Sequence, residues 1–140
     1  MRINLSINDR PICSIAVWAD RYPQIASGLE TVLPITTVAQ HGKIVGDLLY
    51  LSVPIVLPLE NPMPLQEICR ERRRQTGSVA GAVCFYGPRQ QICIYYGDDV
   101  ADEPFELSWI GEVDVGLSAL QLAAMDCWVR PGELASLEVG

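Results

Sequence analysis

Residues 79–97 read Val-Ala-Gly-Ala-Val-Cys-Phe-Tyr-Gly-Pro-Arg-Gln-Gln-Ile-Cys-Ile-Tyr-Tyr-Gly, two β-branched and aromatic runs on either side of a Gly-Pro-Arg-Gln turn. Such side chains suit a pleated, half-buried surface, and a turn between two such runs folds one back on the other. The stretch therefore predicts a β-hairpin buried on at least one face. Cys84 and Cys93 fall inside its two arms and read as buried thiols.

Working outward, Ile3, Leu5 and Ile7 alternate with Asn4 and Ser6 over residues 2–7, the period-two signature of a strand with one buried face. Asn8-Asp9-Arg10-Pro11 supplies turn chemistry, and residues 12–18 resume a strand. Asp20-Arg21-Tyr22-Pro23 predicts a helix start, with Asp20 near the cap and Pro23 in the first turn, where a missing N–H costs little. Ile25, Leu29, Val32 and Leu33 form its apolar stripe, and Pro34 ends it. Short strands are expected at 35–40 and 48–53, around the polar loop from His41 to Asp47. Pro54, Pro58, Pro62 and Pro64 make 54–66 an ordered, meandering loop. A strand at about 108–114, a helix at about 117–127 and a strand near 134–139 complete the chain.

Most of these strands follow one another through hairpins, while the two helices lie far apart. The order predicts a mainly β fold, a closed antiparallel barrel covered by two α-helices at about 22–33 and 117–127. Closure would also remove the sheet edges that such apolar strands would otherwise expose. A length of 140 residues fits one domain spanning 1–140.

Composition narrows the function classes. Hydrophobic residues make up 49% and charged residues 19%, which opposes disorder. No apolar run reaches the ~18 residues of a membrane span, so no membrane partner is expected. Asn4, Ser6, Asn8, Asp9 and Arg10 interrupt any secretory signal. A net charge of −7 opposes a nucleic-acid partner. Cys13, Cys69, Cys84, Cys93 and Cys127 lack metal-ligand spacing and read as structural thiols in a reducing cytoplasm, with no metal or cofactor expected. Arg70, Arg72, Arg73 and Arg74, interleaved with Glu67 and Glu71, read as a solvated loop or short helix, or else as a site for an anionic ligand or partner. The acidic run Asp98, Asp99, Asp102, Glu103 and Glu106 lacks the pattern of a calcium loop and reads as a solvated loop.

An opening strand pair that leads through Asp20-Arg21-Tyr22-Pro23-Gln24 into a helix ending at Leu33-Pro34 is similar to the start of cyclophilins. His41-Gly42-Lys43 with Gly46-Asp47, Glu60-Asn61-Pro62, Ile92-Cys93-Ile94-Tyr95-Tyr96-Gly97 and Ile110-Gly111-Glu112-Val113 follow in order. Together they make the whole chain resemble the small bacterial cyclophilin-like domain proteins. The resemblance implies a cyclophilin-like barrel. It does not carry over peptidyl-prolyl isomerase activity, because the F-H-R-V-I and Q-G-G-D segments of true cyclophilins are missing. The corresponding stretch, Gly46 to Val53, has no arginine to polarise a prolyl carbonyl, and the uncatalysed barrier is ~18–20 kcal/mol.

The candidate site residues are His41, Lys43, Asp47, Glu60, Tyr86, Arg89 and Tyr96. His41, the only histidine, sits at a strand end beside Lys43 and Asp47, where such a cluster binds an acid or moves a proton. Glu60 is expected near the same barrel mouth, facing the His41 loop. Tyr86, Arg89 and Tyr96 come from the central hairpin, whose alternation lets only one of Tyr95 and Tyr96 face a given pocket. No nucleophile–base pair or phosphate loop is present. The expected function is binding of a small carboxylate or amide metabolite at the barrel mouth. Two alternatives stand beside it: a small-metabolite hydrolase or isomerase using His41 as acid or base, and a non-catalytic homo-oligomeric interaction subunit. Trp18, Trp109 and Trp128 would suit an interface between copies.

Overall fold

The alternation of Ile3, Leu5 and Ile7 becomes β1 (Arg2–Ile7), in which each of these side chains is 1% exposed. β2 (Arg10–Val17) returns antiparallel across a turn in which Asn8 and Asp9 take the left-handed conformation, at φ 50° and 63°. Then come α1 (Pro23–Val32), β3 (Ile35–His41), β4 (Gly46–Ser52), the two-residue β5 (Met63–Pro64) and α2 (Leu65–Thr76). β6 (Ala82–Tyr86), β7 (Gln91–Val100), β8 (Glu106–Val115), α3 (Leu117–Val129) and β9 (Leu134–Val139) follow in the computed structural model, which describes residues 1–140.

Eight strands pair antiparallel in the order β2-β1-β9-β3-β4-β7-β6-β8, and β8 pairs back onto β2 to close the barrel. At that seam Gly111 faces Val17, and a Cβ on it would lie 2.0 Å from the Ala16 carbonyl oxygen, so only glycine fits. β5 adds a short rung to β8 from outside. The hairpin of residues 79–97 is β6 and β7, joined by one 3₁₀ turn, with Cys84 opposite Cys93.

Strand alternation divides the side chains between two cores. Leu49, Leu51, Val83, Phe85, Ile92, Ile94 and Tyr96 point into the barrel with the β1 residues. α3 starts beside Ile12 and Cys13 at the beginning of β2, whereas α1 follows the end of β2, so the two helices close opposite mouths. Ile25, Ala26 and Leu29 of α1 and Leu120, Ala124 and Cys127 of α3 join the inner core. The opposite faces of the same strands carry Leu48, Cys84, Cys93, Tyr95, Leu107 and Trp109. These form a second core outside the wall, beneath Leu65, Ile68 and Cys69 of α2.

α2 corrects the expectation of two helices and of a loop or short helix around the arginines. Its buried residues Leu65, Ile68, Cys69 and Arg72 repeat at i, i+3, i+4 and i+7. The charges between them occupy its solvent face and hide the stripe. Arg72 is 6% exposed and is held by Glu112 and by the Ala80 carbonyl at 3.3 Å. Arg73 pairs with Asp98 and Arg74 with Glu71, so most of this cluster is neutralised within the chain. Asp98 and Asp99 lie in β7 rather than in a loop, and Asp98 also accepts hydrogen bonds from Ser78 and the Val79 N–H. All five cysteines are buried and unbridged.

Candidate functional site

β3 ends at His41, two residues after the inward-facing Ala39, which directs its ring toward the mouth under α3. Nε2 hydrogen-bonds the Tyr96 hydroxyl, which in turn lies 3.5 Å from Met125 Sδ. With the phenol donating to the sulfur, Nε2–H donates to the phenol, and Nδ1 remains a buried acceptor without a partner. The ring meets Trp128 edge-on with centroids 4.6 Å apart, and Lys43 Nζ lies 5.1 Å from the Trp128 centroid. Burial lowers the His41 pKa, opposed by the Asp47 carboxylate and assisted by Lys43. Burial likewise pushes the Tyr96 phenol up to about 12, with the charges of Asp47 and Asp99 adding to it. Near neutral pH the His41–Tyr96 pair is uncharged, and with Met125 and Trp128 it fastens α3 onto the barrel end.

Asp47 lies close to that group but is engaged in structure. Its Oδ2 accepts the Asp99 N–H at 3.0 Å and covers Gly97, where a Cβ would come within 2.3 Å of it. Glu60 departs from expectation. It belongs to the α1 end of the barrel, where its two oxygens accept the N–H groups of Gln24 at 3.1 Å and Ile25 at 3.0 Å. No side chain at the α1 N-terminus caps the helix, Asp20 included, so this distant carboxylate satisfies the orphan donors. That role accounts for its 8% exposure and removes it from the neighbourhood of His41.

The largest concavity is a cleft of about 690 Å³ on the outer wall, not a barrel mouth. It runs from the 3₁₀ turn after β6 to the β3–β4 loop. Its floor is the outward row Leu48 and Tyr50 of β4, with Gln91, Cys93 and Tyr95 of β7. Tyr86, Phe105 and Leu107 wall one side, with the Tyr86 and Phe105 rings 5.4 Å apart, and the His41–Val45 loop and Arg89 complete it. None of the lining residues is acidic. Arg89 forms no ion pair, whereas Lys43 is drawn toward Trp128. Tyr95 is 2% exposed, and burial with the nearby thiols pushes its phenol far up, so it stays protonated.

Of the seven candidate residues, the cleft gathers His41, Lys43, Tyr86 and Arg89. Tyr96 points inward to the mouth under α3, and its neighbour Tyr95 lies on the outer face and lines the cleft. Tyr50 and Phe105, which no sequence signal marks as site residues, also line it. Tyr95 lies two residues from Cys93 on β7, and Tyr50 lies opposite Cys93 on β4, so the three share the outer face.

Fold and cleft together define a closed eight-stranded barrel domain whose concavity lies outside the wall. Among solved structures the chain is similar to McbB in complex with tryptophan, at 17% identity and a TM-score of 0.75, over 97% of this chain and 44% of that one. The chain thus spans less than half the length of McbB. It is also similar to the solution structure of the hypothetical protein AF2241 from Archaeoglobus fulgidus, at 19% identity and a TM-score of 0.69, over 100% of this chain and 95% of that one. At these identities the likeness shows a shared fold. No protein-family model and no curated protein matches the sequence. No helix is long and apolar enough to cross a membrane.

Proposed function

We propose that this chain is a cytoplasmic, cyclophilin-like barrel domain of bacterial type that binds a small carboxylate or amide metabolite in its outer-wall cleft. The observation that carries this reading is the lining: apolar and aromatic walls, two cations and no acid, in a protein of net charge −7. McbB, solved with tryptophan, supports it as a protein of related fold that holds a small molecule with a carboxylate. An acid–base role for His41 has less support, since Tyr96 occupies its Nε2 and Trp128 covers its ring. A homo-oligomeric role is the second reading, favoured by Leu122, Met125 and Val129, which are 76%, 55% and 70% exposed on α3.

Titration of the ¹⁵N-labelled protein with a library of small carboxylates and amides tests the proposal. Amide shifts are expected at residues 48–50, at Tyr86, Gly87 and Arg89, and at 91–95. Shifts confined to Tyr96, Met125 and Trp128 would move the site into the barrel mouth. No shifts at about 1 mM ligand, together with a dimer mass by light scattering, would favour the oligomeric reading.

A further inference from the structure

We infer that the cleft selects a planar aromatic carboxylate that carries no α-ammonium group. The inference rests on the outer-wall reading and narrows its ligand class. The chain has 17 acidic and 10 basic residues, yet the cleft is lined by two bases and no acid. The local sign of charge is therefore opposite to that of the molecule, which draws an anion to this face.

Of the two cations, Lys43 is held over the Trp128 ring, and Arg89 is the one without a partner. An unpaired guanidinium at the end of an apolar cleft presents a planar fork that matches a carboxylate bidentately. Beyond it stand Tyr86, Phe105 and Tyr50, ring surfaces on which an aromatic ligand packs. Tyr95 lies four residues along β7 from Gln91, roughly 13 Å at the rise of a strand. Its phenol lines the cleft while 2% exposed, and it makes no hydrogen bond within the protein. Its hydroxyl, reached from the cleft and free of any protein partner, can meet a polar atom on the far side of the ligand ring.

The same lining argues against an amino acid. A zwitterion would bring its ammonium into a cleft with no carboxylate to receive it and with Arg89 and Lys43 already positive. An aromatic acid without the amine keeps the favourable contacts and avoids that repulsion.

Calorimetric titration of the full chain with indole-3-acetate, indole-3-acetamide, tryptophan and succinate tests the inference. Indole-3-acetate is expected to bind at least about tenfold more tightly than each of the other three. Arg89→Gln, on an exposed turn, should abolish the preference over the amide. Tyr95→Phe should weaken indole-3-acetate by roughly threefold, with an unchanged near-UV spectrum. Tryptophan binding as tightly as indole-3-acetate would overturn the exclusion of the ammonium. Succinate binding as tightly would overturn the aromatic selection, and both results leave the outer-wall site standing. Absence of binding by all four, with no shifts in the cleft amides, would overturn the inference and that reading together.

Discussion

Replacing Glu60 by alanine should destabilise the fold without touching ligand binding, and its cost can be worked from the geometry. The carboxylate accepts the Gln24 and Ile25 N–H groups at 3.1 and 3.0 Å, where the N-terminus of α1 has no capping side chain of its own. Loss of a side-chain cap costs ~1 kcal/mol, and a hydrogen bond to a charged group contributes ~1.5–3 kcal/mol. The helix dipole adds ~0.3–1 kcal/mol for an acid at this end. These contributions overlap, so the alanine variant should lose about 2–4 kcal/mol. Glu60→Gln keeps one acceptor oxygen and loses the charge, and should lose roughly half of that. For a chain of this size the alanine variant should melt about 5–15 °C lower. Urea unfolding followed by tryptophan fluorescence measures both changes. A loss below about 0.5 kcal/mol in the alanine variant would refute the capping argument. So would a glutamine variant of unchanged stability that no longer responds to ligand, since that result would return Glu60 to the binding site.

Two further outcomes follow from the barrel end and the seam. His41 has its pKa lowered from 6.5 by burial, so the unfolded chain takes up its proton first and stability should fall as pH drops below 6.5 through the lowered value. The alkaline limb has the opposite sign: the Tyr96 phenol is raised from 10.0 to about 12, so its contribution is complete below pH 10 and is lost toward pH 12. Cys13 and Cys93, raised from 9.0 to about 12, begin that loss earlier. Urea midpoints against pH should show both limbs, and an acid limb of equal slope in His41→Phe would refute the assignment. Gly111→Ala should cost about 3 kcal/mol or fail to close the barrel, because backbone rather than a flexible side chain occupies the Cβ position. Soluble protein with an unchanged urea midpoint would show that the β2–β8 seam gives way easily.

Period-two alternation and hairpin turns made most of the barrel legible, because each strand buries one face against the interior. α2 was not legible, since its period is carried by only Leu65, Ile68 and Cys69, with a buried arginine as the fourth member. Reading Arg72 as polar breaks the stripe; only its partner Glu112, forty residues away, explains the burial. The same kind of distance hid the role of Glu60, whose helix lies thirty-five residues upstream. Lys43 and Arg89, which line the cleft, lie in the loop and turn around the sheet where exposed polar groups collect. Long-range pairings between polar residues leave no periodic trace, whereas apolar burial does.

Why the cleft lies outside the wall follows from the size of the barrel. Eight strands enclose an interior that side chains alone can fill, and Ile3, Leu5, Ile7, Ile15, Leu49, Leu51, Ile92 and Ile94 fill it, each no more than 1% exposed. α1 and α3 then close the two mouths with apolar residues of their own. The cleft therefore forms where the wall is thickened on the outside. α2 thickens it beside β6 and β8, while the β3–β4 loop and the chain around Phe105 rise at the margins of β4 and β7. The adjacent residues Tyr95 and Tyr96 express the division: the inward one helps fasten a helix over a mouth, and the outward one lines the cleft. Exchanging their roles would require a one-residue slip of β7, which would carry Ile92 and Ile94 out of the core.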